Sequence, residues 1–292
     1  MDEPNYVDIY KGKSFNKKKN KRNKRVIVFD LDETLGSFID LEILWQTINF
    51  FSTNTDFNKL LDIYPEFLRY GIIYILEYLY SKKKSNEFYK LFIYTNNQSH
   101  PHWVQLITQY FQYKLSISST NNYSLFDDII YAFKINNVRY EINRTTHNKT
   151  HKDFINCTLL PKNTSICFLD NSYFSDMVHE RIYYIKPMAY FHGLSTQDII
   201  HRFIVSKYGS EFIHKNNINI KLLNDEFVIK CKKSNNYHPT NIITKQFIER
   251  NIIISKKMMY HIKEFFLLSS FKSATRKNRA LKTRFTMKTS NT

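Results

Sequence analysis

The sequence predicts an α/β protein: a parallel β-sheet flanked by helices, with a small insertion and a partly helical C-terminal extension. Two observations carry this. The short runs VIVF at 26–29, LFIY at 91–94 and ICFL at 166–169 are apolar without interruption and rich in β-branched and aromatic residues, as strands buried on both faces must be. Between them lie longer segments whose apolar residues recur at helical spacing, and that alternation builds parallel sheets.

Taken in order, residues 1–25 contain KKKNKRNKR at 17–25 and read as a flexible basic leader. After the first strand, GSFIDLEILWQTINFF sets Leu41, Leu44, Ile48 and Phe51 at helical spacing behind Asp40 and Glu42, so a helix begins near Asp40. Pro65 opens a second helix, EFLRYGIIYILEYLY, with Phe67, Ile72, Leu76 and Leu79 toward the sheet. A strand over 90–94 follows. Pro101 opens a further helix whose Trp103, Leu106, Ile107, Tyr110 and Phe111 are core residues. IIYAFKINNVRYEI at 129–142 reads as two strands joined at Asn136 and Asn137. A strand from Ile182 to Ile185 ends at Pro187. Beyond about residue 206 an extension to residue 270 is expected to dock on the main domain, with helix over 242–268 and its Met pair in packing roles. Residues 271–292 form an acid-free basic tail.

Composition bounds the function. With 292 residues and 42% apolar content, the chain can bury a full core. It has no run of about 18 apolar residues and no apolar secretory leader, so it reads as soluble and intracellular, of nucleus or cytoplasm, without a membrane partner. Cys157, Cys167 and Cys231 form no CxxC pair, which argues against a disulfide framework or zinc knuckle. The net charge of +17 is concentrated at both ends, where a nuclear-import signal or a tether to nucleic acid or an acidic partner would fit.

The chemistry begins at DLDET, residues 30–34. Asp30 leaves the carboxyl end of the first strand, the edge at which open α/β sheets bind ligands. A carboxylate there can attack phosphorus and form an aspartyl-phosphate. Asp32 can protonate the leaving oxygen and later deprotonate water. Two acids this close ask for a cation, and Mg²⁺ is the usual one beside phosphate. Thr95, ending the second apolar run, can hold a phosphate oxygen. In THKDF at 150–154, Lys152 can neutralise developing charge. Asp170 and Asn171, ending the third run, are oxygen donors suited to Mg²⁺. Arg144 and Lys149 share the basic cluster of Lys152, but only Lys152 has motif support. His147 and His151 lie four apart as helical zinc ligands would, yet no Glu stands between them in an HExxH pattern and a Lys adjoins one. Asp176 is either a neighbour of the metal ligands or a helix cap.

DLDETL, KD and LDNS in these positions resemble the haloacid dehalogenase (HAD) superfamily, and in their wording its protein phosphatase branch, the polymerase C-terminal-domain phosphatases and NLI-interacting-factor-like proteins. The resemblance covers roughly residues 26–205 and implies a HAD-like Rossmannoid domain. It implies Asp30 as nucleophile, Asp32 as general acid and base, Thr34 and Thr95 as phosphate and loop positioners, and Lys152 as charge clamp. It also implies Mg²⁺ held by Asp30, Asp170, Asn171 and the carbonyl of Asp32. The expected activity is hydrolysis of phosphoserine or phosphothreonine in a phosphorylated protein. The same fold also serves phosphatases of nucleic-acid ends, which commonly have Gly where this chain has Glu33, phosphatases of small molecules, and binding modules without turnover. The chain departs from the branch after DLDETL, where a helix replaces a strand-rich insertion, and in the long gap between Thr95 and Lys152.

Overall fold

The computed structural model describes residues 6–15, 24–117 and 124–269. Among them the chain runs β1 (Val7–Lys11), β2 (Arg25–Phe29), α1 (Ile39–Phe51), α2 (Phe57–Asp62), α3 (Ile72–Lys84), β3 (Lys90–Tyr94), α4 (Pro101–Lys114), β4 (Asp128–Ile130), β5 (Lys134–Ile135) and β6 (Val138–Arg139). It continues through α5 (His151–Thr158), β7 (Ser165–Leu169), β8 (Ile182–Pro187), α6 (Thr196–Val205), α7 (Lys207–Lys215), α8 (Ile220–Lys233) and α9 (Lys245–Ser269).

Six strands form one sheet in the order β1-β8-β7-β2-β3-β4, parallel except for β1, which runs antiparallel on the edge beside β8. This is a mostly parallel, loosely Rossmannoid α/β fold. Strand alternation sorts the sheet's side chains into two cores. Ile27, Phe29, Ile93 and Leu169 join a large core with helices α1 to α4 and α6 to α9. Val26, Val28, Tyr94 and Phe168 join a smaller one beneath Phe154 of α5 and Leu160. Every residue of β7 is buried, as a run with no polar alternation requires.

The register sets the site. Phe29 lies opposite Ile93 on one side and Leu169 on the other, so Asp30, Thr95 and Asp170 emerge together at the carboxyl edge. Connections from β2 proceed outward to β3 and β4, then return to β7 on β2's other side. The crevice between β2 and β7 is therefore the topological switch point, where such sheets bind ligands.

Several elements differ from expectation. Residues 7–11 of the proposed flexible leader are β1, paired along its whole length with β8, and Phe15 is buried beneath the sheet. The VDIYK alternation was masked by the surrounding charge; 16–23 lie outside the described residues. Pro65 opens only a short 3-10 turn, Pro65–Phe67, and α3 starts anew at Ile72 behind Gly71 in the left-handed region (φ +71°). The buried Arg69 guanidinium between them donates to the Thr34 carbonyl at 2.6 Å and the Met188 carbonyl at 2.9 Å, which ties this break to the DLDET loop. Of the expected hairpin over 129–142, the first part joins the main sheet as β4. Only β5 and β6 pair as a hairpin, turned at Asn136 (φ 50°) and Asn137 (φ 61°) as a type I′ turn demands. α2 was not anticipated.

The extension does not form a separate layer. α8 packs on α1, α9 packs against β8, β1 and β7, and Met258 and Met259 are buried in the large core. The 271–292 tail lies outside the described residues.

Gly36 closes the DLDET loop: its carbonyl accepts from Glu33 N–H at 2.6 Å, and a Cβ on it would stand 2.4 Å from the Phe67 carbonyl oxygen. Gly36→Ala is expected to destabilise the chain by about 1–3 kcal/mol, read as a lowered urea midpoint.

Candidate active site

Asp30 follows the last buried residue of β2, and its N–H donates to the Leu169 carbonyl at 2.8 Å. One carboxylate oxygen, Oδ1, receives Lys149 Nζ at 2.5 Å; the same ammonium reaches Asp170 Oδ2 at 2.6 Å. Lys149 is 1% exposed and ringed by Tyr94, Phe168 and Phe174. Burial works against its charge, but the facing carboxylates of Asp170 and Asp30 outweigh it and hold the ammonium's pKa above the ordinary value. Burial raises the pKa of Asp170; Lys149 opposes this and the Asp30 charge adds to it.

The other oxygen, Oδ2, lies 3.0 Å from the Thr34 hydroxyl, which is also 2.9 Å from Asn171 Oδ1 and donates its single proton to one of the two. Thr34 Oγ1 accepts from Asn171 N–H at 3.0 Å, and Asn171 Nδ2 donates to Glu33 at 3.0 Å. Asp30, Thr34, Asp170 and Asn171 are thus brought together. Glu33 adopts φ +58° in the tight loop, a conformation that costs a non-glycine residue about 1–3 kcal/mol.

Asp32 stands beside them. Its pKa is pushed up to about 7, first by burial and then by the Asp30 charge, while the hydrogen bond from Asn97 Nδ2, at 2.8 Å, pulls down. Thr95 is buried and its hydroxyl accepts from Asn97 N–H at 2.9 Å, so it shapes the loop that presents Asn97 to Asp32. Arg144 braces the same loop by donating to the Thr95 carbonyl at 3.0 Å and to Asn96 Oδ1 at 2.7 Å.

Lys152 is not brought to the site. It lies exposed on α5, and Lys149 occupies the place between the carboxylates. The cause is local: Thr150 caps α5, its hydroxyl accepting from Asp153 N–H at 3.0 Å, so Lys152 is already on the helix and Lys149 precedes it. The T-x-x-D spacing of a capping box was legible in the sequence and would have made this choice. His147 and His151 also part: His147 packs edge-on against Phe133, whereas His151 stacks on His179 at 3.9 Å. Burial, then the His179 charge, lowers the pKa of His151 to about 4. Asp176 is exposed.

A cavity of about 260 Å³ opens against Asp32 and Glu33, walled by Phe38, Ile39, Phe191 and Leu194 and by 236–242 of the extension. In the same cavity Asp40, His192 and His238 offer ligand atoms within 4.8 Å of one another, a candidate cluster for a divalent metal ion. Among the described residues no helix is long and apolar enough to cross a membrane.

Comparison of the chain with protein-family models, with curated proteins and with solved structures gives no match.

Proposed function

We propose that the chain is a magnesium-dependent phosphatase of the haloacid dehalogenase type that passes through an aspartyl-phosphate and acts on phosphoserine or phosphothreonine of a protein. The observation that carries this reading is the buried Asp30–Lys149–Asp170 bridge at the switch point, with Asp32 beside it poised to titrate near neutrality.

Asp30 and Asp170 share the one ammonium and Asp32 beside them adds a third carboxyl, an excess of acid that a divalent cation would offset, and the donors are the hard oxygens Mg²⁺ prefers. Asp30 and Asp170, with the Asn171 side chain and the Asp32 carbonyl, would hold it. Bound there, Mg²⁺ would neutralise charge on the phosphoryl oxygens.

Asp30 attacks phosphorus as the bond to the alcohol oxygen breaks, and Asp32 gives that oxygen its proton. Asp32, now a carboxylate, takes a proton from the water that attacks the aspartyl-phosphate, releasing phosphate and restoring Asp30. Lys149 holds Asp30 in line and balances its charge. The cavity beside Asp32 is placed to receive the leaving group.

Steady-state hydrolysis of an aryl phosphate tests the reading. Turnover is expected with Mg²⁺, and its loss with chelator and in Asp30→Asn; folded protein with no Mg²⁺-dependent turnover would overturn it. Phosphopeptides set against 5′- and 3′-phosphorylated oligonucleotides then separate a protein substrate from nucleic-acid ends.

A further inference from the structure

We propose that Asp40, His192 and His238 form a second metal site, one for a borderline transition-metal ion such as Zn²⁺, built from different residues than the oxygen site at Asp30 and Asp170. Among the described residues this is the only group of three His, Cys, Asp or Glu side chains that converges in this way. Two imidazole donors and one carboxylate suit Zn²⁺ and its neighbours, whereas Mg²⁺ prefers oxygen.

The three ligands come from separate segments, each fixed by its backbone. Asp40 sits in the first turn of α1. The His192 loop is tied down where the Gly193 carbonyl accepts from Ile242 N–H at 2.9 Å. His238 is locked to Thr196 both ways, its N–H donating to the Thr196 hydroxyl and its carbonyl accepting from Thr196 N–H, each at 2.9 Å.

Asp40 is 2% exposed, yet its Oδ1 has no hydrogen-bond partner, an expensive omission for a buried carboxylate. Both histidines address the other oxygen: His192 Nε2 lies 2.7 Å and His238 Nε2 3.4 Å from Oδ2. Tetrahedral zinc with bonds near 2.0–2.1 Å sets its ligand atoms about 3.3 Å apart. The His238 spacing already fits; the His192 spacing must widen.

His192 also names the cost. Its Nδ1 accepts from Leu194 N–H at 3.0 Å, so the ring proton is on Nε2 and is donated to Asp40. An ion at Nε2 moves that proton to Nδ1 and gives up the Leu194 contact, a rearrangement at Gly193, whose φ of +77° lies in the region glycine adopts freely. The ion gains entry through the half-exposed His238 and the cavity shared with Asp32.

The test is calorimetric titration of the tag-free, chelator-treated full chain with Zn²⁺ in excess Mg²⁺, supported by the visible absorption of a Co²⁺ adduct. One equivalent should bind, and Mg²⁺ should not compete. His238→Ala, at a half-exposed position, should cost at least about tenfold in affinity, and Asp30→Asn should leave Zn²⁺ binding intact. No binding, binding unchanged in His238→Ala, or binding abolished by Asp30→Asn would each overturn the proposal.

Discussion

Replacing Lys149 by Met should destabilise the chain by about 3–5 kcal/mol, while Lys152→Met should change stability by no more than about 0.5 kcal/mol. The asymmetry follows from placement. The Lys149 ammonium touches Asp30 at 2.5 Å and Asp170 at 2.6 Å with 1% of its side chain exposed, so its removal leaves two buried carboxylates facing each other. Lys152 is exposed on α5 and neutralises neither. The Lys149→Met loss should be greatest near pH 8. As pH falls, protonation of Asp170, whose pKa burial already raises, relieves the repulsion and the loss shrinks. Urea titrations of both variants at pH 8 and pH 5 read this directly. Equal losses in the two variants, or a Lys149→Met loss that grows toward acid, would contradict the bridge. Turnover should follow the same order, with Lys149→Met inactive and Lys152→Met close to the natural chain.

That pair of lysines marks how far the sequence could be read. Uninterrupted apolar runs declared β2, β3 and β7, and the parallel register of three such strands brings Asp30, Thr95 and Asp170 to one edge without further information. The choice between Lys149 and Lys152 turns on a single turn of helix, and only the Thr150 cap decides it. Asn97 was hidden for another reason: its partner Asp32 is 65 residues away, and nothing local signals the contact. Asp40, His192 and His238 were invisible in the same sense, because three isolated residues share no spacing motif and meet only when the extension folds back on α1. β1 was obscured by composition, lying just ahead of a lysine-rich stretch whose charge suggested an unstructured leader. Local pattern thus specified strands and their ends, whereas contacts between distant segments required the fold.

Asp32→Asn should separate catalysis from stability. Asparagine keeps the oxygen that accepts from Asn97 Nδ2 and removes the charge that burial and Asp30 disfavour. The folded-state pKa of about 7 lies above the ordinary carboxyl value of 3.8, so ionisation opposes folding. That opposition is absent below about pH 4, grows as pH rises, and is complete above about 7. The variant should therefore be more stable than the natural chain by about 1–3 kcal/mol at pH 8. This is less than the full shift implies, because Asp32 borders the cavity and a bound cation would lower its pKa. At pH 4 the two chains should be alike. Turnover should move the other way, falling about 10²–10⁴-fold with a poor alkyl leaving group and less with an aryl phosphate, whose leaving oxygen needs little protonation. For the natural chain, first-step rates on alkyl phosphates should decline as pH rises and Asp32 loses its proton, with the break at or below about pH 7 because the bound cation lowers that pKa. Thermal melts at pH 4 and pH 8 beside single-turnover rates on both ester classes give four readings. A variant less stable at pH 8, or one equally slowed on both esters, would remove Asp32 from the role of general acid.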